Sequence, residues 1–143
     1  MNLFRFLLLI TVVGGLFVSS DAASDEHLNW KSAIYMSAWG PCPQGESCGS
    51  VWLMDRATQS IERKGLKSTA PHKLSDQEWA QLGKMVREAR QQASSCPAPP
   101  TDVFETLEIV DSDGTKQSVE VTGCVFDQGT NAAKTLASWL QRH

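Results

Sequence analysis

Hydrophobic and polar positions change period several times along this chain, and each change marks an element. Over Asn29–Trp39, Trp30, Ala33, Tyr35 and Ser37 fall to one side and Ile34, Met36 and Ala38 to the other, which predicts a strand. Residues 40–49 (GPCPQGESCG) are a loop by composition. Ser50 to Ile61 reads as a second strand, with Val51, Leu53 and Asp55 alternating against Trp52 and Met54, so the two strands form a hairpin. Residues 62–73, polar and basic with Gly65 and Pro71, are expected to be a connection. Ser75 and Glu78 then have capping-box spacing, and Leu74 and Trp79 are placed for a hydrophobic staple. Trp79, Leu82, Met85, Val86, Ala89 and Ala93 recur at helical spacing, and Arg87 and Arg90 suit the C-terminal end of the dipole. The run from Cys96 to Pro100 (CPAPP) ends this helix.

Val103, Leu107 and Ile109 alternate with Thr106 and Glu108, Asp111 to Gly114 supplies a turn, and Val119, Val121 and Val125 continue as its partner strand. Gly123 is expected to mark a bulge that aims Cys124 at the end of the helix. Thr130 or Asn131 caps a last helix with Ala133, Leu136, Ala137 and Leu140 on one face. The order strand, strand, helix, strand, strand, helix predicts an α+β fold: a four-stranded antiparallel sheet with two helices packed on one face.

The N-terminal pattern is different. Arg5 precedes an almost wholly apolar stretch from Phe6 to Val18, and Ser20 and Ala22 fit the small-x-small rule, so residues 1–22 read as a secretory signal peptide. The apolar run is short for roughly 30 Å of hydrocarbon, so no stable membrane anchor is expected after cleavage. Residues 23–143 form the expected single α+β domain. Cleavage removes one base, Arg5, and one acid, Asp21, and leaves the net charge at −3. That slightly acidic balance argues against a nucleic-acid partner. The address is secreted or periplasmic.

An exported chain with an even number of cysteines implies disulfides. Four cysteines allow three pairings. The predicted elements favour Cys42–Cys48, bracketing a short loop, and Cys96–Cys124, joining a helix end to a strand end. A metal site is not expected, because the Cys42 to Cys48 spacing is wide for a zinc knuckle and no paired histidines follow. No cofactor is implied.

Catalysis is weakly supported. Gly45-Glu46-Ser47-Cys48-Gly49 matches the nucleophile-elbow pattern, but that motif needs a following helix, an acid and a histidine. His27, His72 and His143 are scattered, and no pairing with a carboxylate follows from their spacing. Asp111, Asp113 and Gly114 resemble a fragment of a calcium loop without its closing Glu, and a hairpin turn explains them. The expectation is a non-enzymatic protein-binding module, the partner being a hydrolase that it inhibits or a toxin that it neutralises. A structural envelope protein and a small serine-dependent hydrolase are the competing readings. The candidate binding residues are Trp39, Pro43, Gln44, Gly45, Glu46, Ser47 and Trp52. A loop ordered in advance loses less entropy on binding, and tryptophan is enriched at interfaces.

Three stretches carry a resemblance: SVWLMDRATQSIERKG, LSDQEWAQLGKMV and the hairpin around VDSDGTKQSVEV. In this order they resemble small bacterial exported domains that include the emfourin-type inhibitors of metalloproteases, which implies the same strand and helix order and an inhibitory role. The cysteine loop lies outside that pattern. The segment CPQGESCGS is similar to the disulfide-closed inhibitory loop of exported lysozyme inhibitors, which carries a histidine where this chain has Glu46. Neither resemblance carries individual functional residues over.

Overall fold

The computed structural model describes residues 30–44, 46, 48–100 and 102–143. The expected signal peptide at 1–22 lies outside the described residues, as do His27 and the candidate binding residues Gly45 and Ser47. Among the described residues no helix is long and apolar enough to cross a membrane.

The fold is α+β with an antiparallel sheet, but among the described residues the sheet has six strands rather than four, and there are three α-helices rather than two. The strands are β1 (Trp30–Trp39), β2 (Gly49–Asp55), β3 (Ser60–Gly65), β4 (His72–Lys73), β5 (Val103–Asp111) and β6 (Lys116–Glu120). The helices are α1 (Asp76–Gln92), α2 (Thr122–Val125) and α3 (Ala132–Leu140). The sheet order is β4-β3-β2-β1-β5-β6.

The extra strands come from the stretch read as one strand and a connection. A turn over residues 56–59 splits it, although that turn holds neither Gly nor Pro. The Asp55 carboxylate accepts from Thr58 N and Thr58 Oγ1, both at 2.9 Å, and Gln59 takes a left-handed φ of 49°. An Asp side chain that bonds the backbone ahead of it can replace the usual turn formers. The returning strand β3 turns only Ile61 fully into the core. Gly65 sits at φ +99°, and a Cβ there would strike the Gly49 carbonyl. The short β4 pairs Ile61 with His72.

The last expected strand also changes. Val121 hands over to helix α2, so Cys124 lies on a helical turn and Gly123 is not at a bulge. The physical reason is the crowding of chain at the second disulfide. Cys96 and Cys124 have Cα atoms 4.9 Å apart, and a Cβ on Gly123 would collide with the Pro97 carbonyl.

One sheet face is built from Ala33 and Tyr35 of β1, Trp52 and Met54 of β2, Ile61 of β3, and Leu107 and Ile109 of β5. These pack with Leu82, Val86 and Ala89 of α1 and with Leu136 and Leu140 of α3. Trp30 breaks the period of two, yet is buried and lies 5.1 Å from Trp79. A register shift between Trp30 and Ser32 turns its side chain inward. The opposite sheet face carries Ile34, Met36, Val51, Leu53 and Phe104, with Met36 and Phe104 exposed.

The caps follow the expected chemistry. Ser75 N donates to Glu78 Oε2 at 2.8 Å, while Glu78 N donates back to Ser75 Oγ. Asn131, not Thr130, caps α3 by accepting from Lys134 N at 2.9 Å.

Candidate functional site

Strands β1 and β2 pair through Ala38 and Gly49 and are joined by a loop that the Cys42–Cys48 disulfide closes, with Cα atoms 5.6 Å apart. Both sides of the loop are tied down. Trp39 N donates to the Cys48 carbonyl at 3.0 Å, and Gly40 N donates to the Asp102 carbonyl at 2.9 Å. At the tip, Glu46 N donates to the Pro43 carbonyl at 3.1 Å, which makes a compact turn. Pro43, Gln44 and Glu46 are exposed. Trp39, at the foot of the loop, keeps 49 % of its surface exposed.

Beneath Trp39 a groove of about 370 Å³ opens along the end of the helix-covered sheet face. Trp39 and Leu66 supply apolar surface, Trp52 the floor, and Ser37, Ser50, Arg63 and Lys67 the polar groups. Gln141, just past the end of α3, closes one side. The strand register explains the gathering. Ser37 pairs with Ser50 across β1 and β2, and Trp52 pairs with Arg63 across β2 and β3, so all four share one face. The Arg63 guanidinium lies 4.7 Å from the Trp52 ring centroid, and its Nε and Nη2 donate to Ser50 Oγ at 3.2 and 3.0 Å. Stacking on an aromatic face and a shared acceptor together fix the plane of the fork. Among the described residues neither Arg63 nor Lys67 has a carboxylate in ion-pair contact.

Behind the groove lies a buried acid. Glu105 pairs with Ser37 across β1 and β5 and is only 5 % exposed. Ser37 Oγ donates to its Oε1 at 2.7 Å. Its backbone is held by Thr122, whose Oγ1 accepts from Glu105 N at 2.9 Å, and by Val121 N, which donates to its carbonyl at 2.8 Å. Burial pushes the Glu105 carboxyl up from its ordinary range, and the nearby Tyr35 and Ser37 hydroxyls draw it part of the way back. Burial likewise raises the Tyr35 phenol, and the Glu105 charge raises it further. The two groups are neighbours but stand outside direct hydrogen-bond geometry. The Tyr35 hydroxyl, Glu105 Oε2 and Trp52 Nε1 are all buried without a direct partner. Such atoms are uncommon in a folded interior; Tyr35 and Glu105 are electrostatic neighbours beside the groove, and Trp30 Nε1 is a further such atom elsewhere in the core.

The residues singled out from sequence divide by location. Trp39 and Trp52 meet in the groove, Trp39 as an exposed wall and Trp52 as a floor only 2 % exposed. Pro43, Gln44 and Glu46 lie on the loop above. Both expected disulfides are formed. The Asp111–Gly114 segment is the β5–β6 turn: Gly114 N donates to the Asp111 carbonyl and Thr115 N to Asp113 Oδ1. Arg90 occupies the Asp111 carboxylate at 3.4 Å. His143 does find a carboxylate, although spacing gave no pairing: its Nε2 lies 4.0 Å from Glu78 Oε1, and its ring stacks on Trp139.

Sequence reasoning missed Ser37, Ser50, Arg63, Lys67 and Glu105 as a group. Glu105 had a legible signal, because it stands among the inward positions Val103, Leu107 and Ile109. Arg63 had one only if β3 is recognised, since Ile61, Arg63 and Gly65 then alternate inward.

No protein family matches the chain, and no characterised protein or solved structure is significantly similar to it. The site therefore has to be read from its own chemistry. The two disulfides are compatible with an oxidising compartment outside the cytoplasm.

Proposed function

We propose that this chain is an exported, non-enzymatic protein-binding module that docks its partner on the disulfide-closed loop and on the groove at its foot. The partner is a hydrolase held inactive, or a toxin held neutral. One observation carries the reading. Trp39 is half exposed at the base of a loop that a disulfide closes and two backbone hydrogen bonds hold down. A large aromatic anchor on a pre-ordered support is the usual composition of a binding hot spot. The loop also sits at the end of a sheet whose rigidity it inherits, so little order has to be created on docking. Export is part of the proposal, drawn from the N-terminal sequence pattern and in keeping with the disulfides.

The test is affinity capture from the host's exported proteins, using the oxidised chain beside a Cys42→Ser, Cys48→Ser variant. The resemblance to metalloprotease inhibitors directs the first inhibition assay to exported metalloproteases. Removing this short cross-link should cost about 2 kcal/mol of stability on the loop-entropy argument. Loss of the partner under conditions where the variant is still folded supports the docking role. Partner retention undiminished in the folded variant overturns it, and the loop is then only a staple.

A further inference from the structure

We infer that the groove between Trp39 and Arg63 is a carboxylate-binding site, taking one carboxylate attached to an apolar body. This deepens the docking reading and rests on the same face of the molecule.

Ser50 and the Trp52 ring hold the Arg63 guanidinium, and the contacts to Ser50 use only Nε and Nη2, which leaves Nη1 without a hydrogen-bond partner among the described residues. An arginine fixed in this way has less conformational freedom to lose when it meets a planar acid. Lys67 adds a second positive charge to the same lining. These two cations stand together on a chain of net charge −3, with no acid of the described residues in ion-pair contact with either.

The other half of the lining selects the body of the ligand. Trp39 and Leu66 are 49 % and 47 % exposed, so an apolar group against them removes surface from water on both sides. A space of about 370 Å³ is in the range of small-ligand pockets. Glu105 limits the charge. It lies across Ser37 from the groove, and in its ionised form it opposes a second negative charge on the ligand. A monoanion is therefore favoured over a phosphate dianion. The carboxylate has two sources with the same chemistry: a free small organic acid, or the C-terminus of a docked polypeptide.

Three probes test this on the oxidised, isotope-labelled chain. They are 3-phenylpropionate, N-acetyl-alanyl-phenylalanine with a free carboxylate, and the same dipeptide as its amide. The Trp39 indole N–H resonance is followed by NMR. A free acid should shift it saturably with a Kd near or below about 1 mM, and the amide should bind about tenfold more weakly. Arg63→Met, which keeps an apolar stem beside Trp52, should cut the difference between acid and amide to about threefold or less. Lys67→Ala, on an exposed loop, should weaken the acids about threefold and leave the amide unchanged, which keeps the test valid if the Arg63 variant fails to fold. Binding of the dipeptide acid alone assigns the site to a polypeptide terminus, and binding of 3-phenylpropionate alone assigns it to a free acid. Equal binding of acid and amide, or no shift from any probe up to about 10 mM, overturns the inference. Probe failure with the loop-dependent partner still captured removes only the carboxylate site. Probe binding with no partner captured removes only the docking reading.

Discussion

The two ends of the helix-covered sheet face use the same strands and the same alternation, yet they are chemically opposite. Toward one end, Ala33, Tyr35, Met54, Ile61, Leu107 and Ile109 pack under α1 and α3. A few residues further along the same strands, the inward positions become Ser37, Ser50, Arg63 and Glu105, and Trp39 stands half exposed. Helix α3 ends at Leu140, and beyond it Ser37, Ser50 and Arg63 face a groove rather than a helix, with Glu105 buried behind them. An inward position is therefore a core position only where something covers it. The polar end also buries an acid, Glu105, whose Oε2 has no direct partner among the described residues. Departures of this kind from local consistency are expected where a surface is kept for binding.

Substitutions at the two ends should separate stability from binding. The largest loss is expected at the covered end. Leu107→Ala removes a fully buried side chain and should cost about 2–5 kcal/mol, read by urea unfolding. A cost below about 1 kcal/mol would mean that the core is loosely packed there.

Glu105→Gln should act in the other direction and depend on pH. The folded carboxyl titrates above its unfolded value because burial penalises the charge. Its contribution to stability is thus present below the unfolded pKa of about 4.3 and is lost as pH rises through the folded pKa. The glutamine keeps an acceptor for Ser37 without the charge. The variant should therefore gain on the native protein as pH rises from about 4 to 7, in paired unfolding curves. A gap that shrinks over that interval would show that the ionised form is the one the corner favours.

The smallest effect on stability is expected from Trp39→Ala. With half of the ring already in water, the change should stay within about 0.5 kcal/mol while partner capture and the probe-induced groove shifts fall together. A large stability loss from this variant would make Trp39 part of the packing and erase the contrast between the two ends.

Much of the fold was legible in the sequence because its signals are local. The Ser75–Glu78 box, the helical spacing from Trp79 to Ala89, the Asp111–Gly114 turn and the Cys96–Cys124 link all appear in the structure as expected. What was hidden depended on side chains acting in place of the usual markers. The Asp55–Thr58 contact turns the chain without Gly or Pro, so the residue pattern alone merges the start of β3 with β2 and makes its continuation a connection. Arg63 was lost with it, as one more charge in a basic connection. At residues 119–125 the apolar spacing is two, then four, which fits a strand passing into a helical turn as well as it fits a strand alone. The loop was found from its prolines and cysteines. The groove at its foot was not, because strands distant in sequence supply its walls.

Strand β1 also decides how the molecule can be held. It enters the centre of the sheet at Trp30 and reaches the loop at Trp39, a run of about 30 Å at the usual strand rise. The chain before Trp30 joins the sheet at the end away from the loop, whereas Gln141, just past α3, lines the groove itself. Attachment to a surface through the N-terminal side would present the loop outward, and the same attachment through His143 would crowd the site. An immobilised-binding experiment on this protein should give different answers for the two orientations, and the N-terminal one is the informative one.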